Sequence, residues 1–141
     1  MKTTILLVRH GQSEANLAKV FAGHRGYPLT VLGHEQAERT ARYIKDTYCV
    51  DAVYSSDLPR AFQTAEHIAL QYALPVITDA RFREINGGDW EDLLLAQLPA
   101  CFPEDFDKWK TDIGNSCCTN GESPLAVAER VFNALLDVAT K

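Results

Sequence analysis

Long apolar runs are absent from the sequence, and so is metal-binding cysteine spacing. No run of apolar residues exceeds four, whereas a membrane-spanning helix needs about 20. None of the four cysteines makes a C-x-x-C pair or has zinc-ligand spacing with a histidine. The adjacent Cys117 and Cys118 could form a vicinal disulfide, but we expect free thiols in a reducing compartment. These absences predict a cytoplasmic protein with no membrane span and no metal site.

Basic residues are scarce in the second half of the chain. The net charge is −5, made of +2 over residues 1–60 and −7 over residues 61–141. From Glu84 to Asp107 there is no Lys or Arg. This balance argues against a nucleic-acid or membrane-surface partner. We interpret the acidic stretch as solvated helix faces and caps.

Strand and helix patterns alternate along the chain. Strands are predicted over Thr3–Val8, Ala52–Tyr54 and 74–78, with helices from Gly33 to about Tyr48 and in "SSDLPRAFQTAEHIALQY". This order indicates parallel βαβ units, and the continuously apolar "ILLV" is typical of a strand buried on both faces. A chain of 141 residues, 46 % of them hydrophobic, can form one such α/β domain over 1–141.

Local signals mark where two helices begin. Ser56 or Asp57 is placed to cap the second helix, and Pro59 lies in its first turn. Ser123 and Pro124 likewise predict the start of a late helix, as N-cap and first helical residue.

The region between these helices has a weaker pattern. Pro99 and Pro103 are predicted to break it into one or two short helices, and "DIGNSCCTNGES" is predicted as a loop. An apolar stripe in this region is interpreted as a satellite core rather than a cofactor site: Phe102, Phe106 and Trp109.

Side chains with reactive chemistry follow each predicted strand. Arg9 and His10 follow the first strand, Arg60 comes after the second, and Glu84 lies in a glycine-bearing loop after the third. Open α/β sheets bind ligands at the carboxyl ends of their strands, so we expect these four side chains to converge. As alternatives, Arg9 or Glu84 could serve only in a salt bridge, and Arg60 could be a surface residue.

These residue types point to phosphoryl chemistry. Two guanidinium groups can clamp phosphate oxygens, an imidazole can attack phosphorus, and a carboxylic acid can protonate the leaving alkoxide. Gly11 permits a sharp turn, after which the N–H groups of Gln12, Ser13 and Glu14 are predicted to attract an anion. Asn16 could bind phosphate, or it could simply cap or pack. The other histidines are interpreted as ordinary surface or helix residues: His24, His34 and His67.

"VRHGQSEAN" resembles the signature of the histidine phosphatase superfamily, the phosphoglycerate-mutase-like proteins. Four further segments resemble family motifs in the same order: "YPLTVLGHEQA", "VYSSDLPRAFQTAEHIA", "REINGGDWED" and "NGES". The likeness extends from Ile5 to about Val138. It implies a phosphoglycerate-mutase-like α/β fold, in which a mostly parallel sheet is flanked by helices.

The resemblance also implies a mechanism. His10 would be phosphorylated during turnover, Arg9 and Arg60 would bind the transferring phosphoryl group with Asn16 nearby, and Glu84 would donate the proton. No metal or organic cofactor is implied. The substrate would be a small phosphorylated metabolite.

Within the family, the missing basic cluster favours a phosphatase over a mutase. Mutases carry further basic residues after the acid loop, and this chain has none between Glu84 and Asp107. The nearest likeness is to the broad-specificity and α-ribazole-phosphate branch. Pocket walls are expected from "VFAGHRGYPL", with Gly23 binding phosphate or substrate, and from Glu91–Ser116.

One departure from the family pattern concerns a second histidine. The family places it in a Ser-His-Gly turn after a late strand, and this sequence has no histidine after His67. The chain therefore resembles a C-terminally truncated member, with an exposed edge on the "ILLV" strand. It could be a fragment of a complete phosphatase, a shortened binding-only protein, or a chain completed by a partner such as a second copy. For the isolated chain we expect weak turnover.

Overall fold

The computed structural model describes residues Thr3–Thr140, which divide into two units. The sheet unit consists of Ile5–Leu17 and Gly26–Arg83. The tryptophan unit consists of Met1–Thr4, Ala18–Arg25 and Glu84–Lys141. A short helix, α1 (Glu14–Ala18), begins in the sheet unit. Its last residue, Ala18, is assigned to the tryptophan unit.

The sheet unit contains a parallel βαβ arrangement, as the sequence predicts. Its elements are α2 (Val31–Thr47), β1 (Val53–Ser55), α3 (Pro59–Tyr72), β2 (Val76–Thr78) and a 3₁₀ turn at Ala80–Phe82. The strands β1 and β2 pair in parallel, with Val53 opposite Val76.

The helical spacing of Ala37, Ala41 and Ile44 identifies the buried face of α2, whereas Tyr48, the next position of that spacing, is exposed. The two long helices share one hydrophobic core, which consists of Ala41 and Ile44 from α2, Ala65, Ile68 and Ala69 from α3, and Val53. Thr30 caps α2, because its hydroxyl oxygen accepts a hydrogen bond from the Gly33 amide at 3.0 Å. The helix consequently begins two residues before the predicted start.

The predicted cap of α3 is wrong. Leu58 is the N-cap residue and makes no side-chain hydrogen bond to the helix. The Asp57 carboxylate is instead held by the Arg83 guanidinium, with 2.6 Å between Arg83 Nε and Asp57 Oδ1. Pro59, as first helical residue, has no N–H to satisfy and fixes its own φ angle, so the helix starts without a side-chain cap.

The first predicted strand, Thr3–Val8, is also wrong. No residue of this segment belongs to a strand, and the Leu7 side chain is 78 % exposed. The segment borders an open groove of about 440 Å³ whose other wall is the α2 side chains Thr40, Tyr43 and Ile44. A strand requires a hydrogen-bonded neighbour, and within residues 3–140 the strands β1 and β2 pair only with each other. The segment therefore has no strand edge of the kind predicted, although its apolar side chains are exposed.

The tryptophan unit is built from short helices whose first turns contain proline. These are α4 (Leu98–Cys101), α5 (Pro103–Thr111) and α6 (Pro124–Ala139), with 3₁₀ turns at Gly88–Trp90 and Leu95–Gln97. Pro99 and Pro103 therefore start helices. Ser123 caps α6 as predicted, its hydroxyl oxygen accepting from the Ala126 amide at 3.2 Å. The preceding loop, 112–123, has no helix or strand.

Trp90 occupies the centre of the second core and is 1 % exposed. Its ring contacts four aromatic rings with centroid separations of 5.4–6.2 Å: Phe21, Phe102, Phe106 and Trp109. Its indole N–H donates to the Thr119 hydroxyl at 3.0 Å. The predicted satellite core is thus confirmed.

The four cysteines are free thiols, including the adjacent Cys117 and Cys118. Cys118 is fully buried beside Trp90, and burial raises the pKa of its thiol to about 12. The described helices include none with the length and apolar character that a membrane crossing requires.

Candidate functional site

Gly11 fixes the arginine–histidine segment against both long helices of the sheet unit. Its amide donates to the Thr64 hydroxyl oxygen at 3.2 Å, and that hydroxyl donates to the Arg60 carbonyl oxygen at 2.8 Å. A Cβ atom at Gly11 would collide with the Gly33 carbonyl in the first turn of α2. Glycine is required here because the backbones approach so closely.

The His10 ring is oriented by its own neighbour in the chain. Its Nδ1 atom lies 2.6 Å from the Gly11 carbonyl oxygen. A carbonyl oxygen can only accept, so Nδ1 carries the proton of this hydrogen bond. The neutral ring then has its lone pair on Nε2, which is the nitrogen that could attack phosphorus.

The two arginines predicted for the site, Arg9 and Arg60, differ in exposure. Arg60, near the start of α3, is 3 % exposed, so the surface alternative is wrong for this residue. Arg9 is exposed, and within residues 3–140 it forms no ion pair. Thr64 joins the main chains on which His10 and Arg60 lie, so these two positions adjoin.

The amides predicted to attract an anion after Gly11 each have a protein acceptor. The Gln12 amide donates to the Gln36 side chain at 2.8 Å, the Ser13 amide to Asn16 Oδ1 at 3.0 Å, and the Glu14 amide to the Pro28 carbonyl at 3.0 Å. An anion at these amides would have to displace these hydrogen bonds.

Asn16 has the capping role that was predicted as the alternative to phosphate binding. Its Oδ1 accepts from both the amide and the hydroxyl of Ser13, each at 3.0 Å. Its carboxamide is exposed at the start of α1. A contact from its NH₂ group to phosphate therefore remains a prediction.

Gly23 and Glu84, the other predicted site residues, belong to the tryptophan unit. Gly23 is buried with φ of +47°, and a side chain there would collide with the Glu91 carboxylate. Glu91 Oε1 accepts from the His24 amide at 2.7 Å and from the Gly87 amide at 3.1 Å. The buried Glu91 thus fastens the Gly23 turn to the loop that follows Glu84.

The Glu84 side chain is exposed, while its main chain is held on two sides. Its carbonyl oxygen accepts from His24 Nε2 at 2.8 Å and from Arg130 Nη2 at 2.9 Å. The salt-bridge alternative is wrong, because the neighbouring Arg81 and Arg83 pair with Asp79 and Asp57.

A second carboxylate, Glu122, holds the same loop. It accepts from the Asn86 amide at 2.8 Å and from Arg130 Nε at 2.9 Å and Nη2 at 2.8 Å. The pKa of the Glu122 carboxyl is lowered, first by the hydrogen bond from Arg130 and further by the Asn86 amide, with burial opposing. Glu122 therefore stays ionised well into the acid range.

Sequence reasoning did not single out the residues that hold the site segments. Thr64, Glu91 and Glu122 lie inside the motif-like segments quoted above, so a signal existed. Gln36 lies in such a segment too, "YPLTVLGHEQA", whereas Arg130 lies outside all of them. The part of the chain that the structure describes contains no cluster of three His, Cys, Asp or Glu side chains suited to a metal.

Comparison with known proteins decides the family. The sequence pattern of the histidine phosphatase superfamily (branch 1) matches residues 5–141. The chain belongs to this superfamily. The resemblance drawn from the motifs is confirmed.

Named relatives in this superfamily are phosphatases and mutase-like proteins. Phosphoserine phosphatase 1 of Hydrogenobacter thermophilus is 34 % identical over 95 % of this chain and 63 % of its own length. Adenosylcobalamin/alpha-ribazole phosphatase of Escherichia coli is 34 % identical over 89 % of this chain and 61 % of its own length. A probable phosphoglycerate mutase of Proteus mirabilis is 35 % identical over 93 % of this chain and 60 % of its own length. The chain thus spans about three fifths of these relatives.

Solved structures show the same fold. A mycobacterial glucosyl-3-phosphoglycerate phosphatase bound to VO3 superposes with a TM-score of 0.84 at 31 % identity, covering 94 % of this chain and 65 % of the other. A Bacillus stearothermophilus protein superposes with a TM-score of 0.85 at 28 % identity, covering 92 % and 64 %. The predicted phosphoglycerate-mutase-like α/β fold is confirmed. This chain covers about two thirds of the length of these two structures.

Proposed function

We propose that this chain hydrolyses small phosphate monoesters through a phosphohistidine on His10. The observation that carries the proposal is the held His10 ring, whose lone pair falls on Nε2, in a member of a phosphatase-rich superfamily. Arg9 and Arg60 supply permanent positive charge for the phosphoryl oxygens. Asn16, Gly11, Gln12, Ser13 and Gly23 are proposed to line the phosphate and substrate site.

In the first step, His10 Nε2 attacks phosphorus and the bond from phosphorus to the ester oxygen breaks. The leaving alkoxide takes a proton from the Glu84 carboxyl, giving the free alcohol, phosphohistidine and a Glu84 carboxylate. In the second step, water attacks phosphorus and gives its proton to Glu84. Phosphate leaves and His10 is restored, so atoms and charges balance without a metal.

The expected turnover is weak, because no histidine follows His67 in the 141 residues. A second imidazole beside the phosphoryl group would add a hydrogen-bond donor as charge develops, and such donors contribute strongly to rate. A cytoplasmic location and a small phosphorylated metabolite as substrate belong to the same proposal. Gel filtration tests the further prediction that a homodimer covers the Ile5–Val8 segment.

The test is hydrolysis of p-nitrophenyl phosphate in the presence of EDTA. We expect slow, saturable phosphate release that His10→Ala abolishes, with His67→Gln as a matched control for loss of a histidine. Quenching in alkaline SDS during turnover of a ³²P-labelled ester should trap radiolabelled phosphate on His10, because phosphohistidine is stable in base and hydrolyses in acid. Release that persists in His10→Ala would refute the proposal.

A binding-only function is the second candidate, and the absence of a further histidine favours it. It predicts saturable binding of inorganic phosphate that Arg9→Ala weakens, with no hydrolysis by the wild-type chain. A mutase is the least favoured function, because the stretch from Glu84 to Asp107 lacks the basic residues that would grip a second phosphate.

A further inference from the structure

We infer that the Glu122–Arg130 pair is a positioning device for the proton donor Glu84, and the inference rests on the proposed function. Neither residue is assigned a role in the reaction above. Both lie in the tryptophan unit, and both contact the main chain of the Glu84–Asn86 segment.

The geometry of the pair is that of a built clamp. Arg130 presents its Nε and Nη2 atoms to the two oxygens of Glu122, and Nη2 also donates to the Glu84 carbonyl at 2.9 Å. Glu122 accepts from the Asn86 amide at 2.8 Å. The clamp thus holds the backbone on both sides of Ile85, leaving little freedom at the residue that carries the acid.

The pair is half-buried, with side chains 21 % and 27 % exposed for Arg130 and Glu122. Bidentate guanidinium–carboxylate pairs are stronger and more directional than other hydrogen bonds. The Glu84 carboxyl, by contrast, is exposed, and among residues 3–140 its one hydrogen-bond donor is the Ile85 amide next to it, at 2.9 Å. Its position is therefore set through the main chain, where Arg130 and His24 act.

General acid catalysis gives a signature for such positioning. A poor leaving group needs a proton in the transition state, whereas a good one departs as the anion. Displacing the acid should slow phenyl phosphate far more than 2,4-dinitrophenyl phosphate. General damage to the fold should slow both substrates equally.

The experiment measures kcat and KM for both substrates in wild type, Arg130→Met and Glu122→Gln. Arg130→Lys should disturb folding less than Arg130→Met, because lysine keeps the positive charge and can still donate a hydrogen bond. Arg42→Met, which removes an exposed arginine paired with Glu38 on α2, is the matched control. Near-UV circular dichroism of each variant verifies the packing around Trp90.

In Arg130→Met we expect kcat/KM for phenyl phosphate, which reports the phosphorylation step, to fall about tenfold, a share of the roughly 10²–10⁴-fold that a positioned acid contributes. The value of kcat/KM for the dinitrophenyl ester should change by less than about twofold, and Arg130→Lys should recover part of the loss. Equal losses for the two esters, or no loss, would overturn the inference while leaving the proposed function intact. A folded wild type that hydrolyses neither ester would overturn the proposed function and the inference with it.

Discussion

In the sheet unit the candidate site segment is held by uncharged groups, whereas in the tryptophan unit the loop carrying Glu84 is held by carboxylates. The backbone around Gly11 bonds to the Thr64 hydroxyl and, one residue later, to the Gln36 carboxamide. The backbone from Asn86 to Gly87 bonds to Glu122 and Glu91. The two parts of the proposed site therefore respond differently to pH.

The two supports differ in pH dependence because only one of the two kinds of acceptor can be protonated. A hydroxyl or carboxamide stays uncharged at every pH of interest, so the support of the His10 segment does not change with pH. A carboxylate bonds more strongly to a backbone N–H but loses that strength when protonated. The support of the loop that carries Glu84 therefore depends on pH.

The largest effect is expected from removing the centre of the tryptophan unit. Trp90→Ala should lower the free energy of unfolding by about 3–5 kcal/mol, because it leaves a cavity in the core. It also removes the indole N–H that donates to the Thr119 hydroxyl. Ile68→Ala is the matched change in the core of the sheet unit, with an expected loss of about 2–5 kcal/mol. Urea unfolding followed by far-UV circular dichroism measures both.

Reaction of the buried Cys118 with a thiol reagent sharpens this first prediction. Only Trp90→Ala should make that thiol accessible, because Cys118 packs in the cluster around Trp90. Labelling of Cys118 in Ile68→Ala at the same rate would contradict the division into two cores.

The next effect concerns the uncharged support of the nucleophile. Thr64→Val removes the acceptor of the Gly11 amide, and leaving that buried donor unpaired should cost about 1–3 kcal/mol. Thr64→Ser restores the hydroxyl and serves as the control. Hydrogen exchange at the Gly11 amide, measured by NMR, should quicken in the valine variant only. Unchanged exchange would mean that the bond does not hold the segment.

Helix caps offer a smaller, matched pair of changes. Thr30→Ala in the sheet unit and Ser123→Ala in the tryptophan unit each remove one capping bond and should each cost about 1 kcal/mol. Thr30→Asp and Ser123→Asp should retain most of the stability. Thermal unfolding of the four variants tests whether the two units depend on their caps equally, and a loss confined to one unit would contradict this.

The smallest effect is the pH dependence of the charged support. Because the folded pKa of Glu122 lies below its ordinary value of 4.5, its contribution is complete above that value and is lost as the pH falls through the folded pKa. Partial exposure screens the pair and keeps the effect modest.

Tryptophan fluorescence can follow this loss, because Trp90 and Trp109 both lie in the tryptophan unit. The urea midpoint should decline from about pH 6 to about pH 3, and less steeply in Glu122→Gln. Parallel slopes in the two proteins would show that the pair contributes nothing.

Several elements could be predicted from the sequence because their causes are local. Ser123 and Pro124 start α6 where the signals indicate, and the spacing of Ala37, Ala41 and Ile44 gives the buried face of α2. Caps and periodicity act over a few residues, so neighbours in the chain are enough to identify them.

The misplaced features all depend on distant partners. Asp57 does not cap α3 because Arg83, 26 residues away, takes its carboxylate. An anion at the Gln12 amide would have to displace the hydrogen bond to Gln36 of α2. The Ile5–Val8 segment has the composition of a strand, but pairing requires a neighbouring chain segment that composition does not supply.

The sequence by itself determined the family, because the motif around His10 and the motifs that follow it in order are specific at the level of residue identity. Tertiary structure alone decided which nitrogen of His10 carries the proton and which groups hold Gly11. It also decided that Arg130 donates to the Glu84 carbonyl and that Glu122 accepts from the Asn86 amide. These are contacts between residues far apart in the chain or choices of side-chain orientation, and no local rule of composition or spacing fixes either.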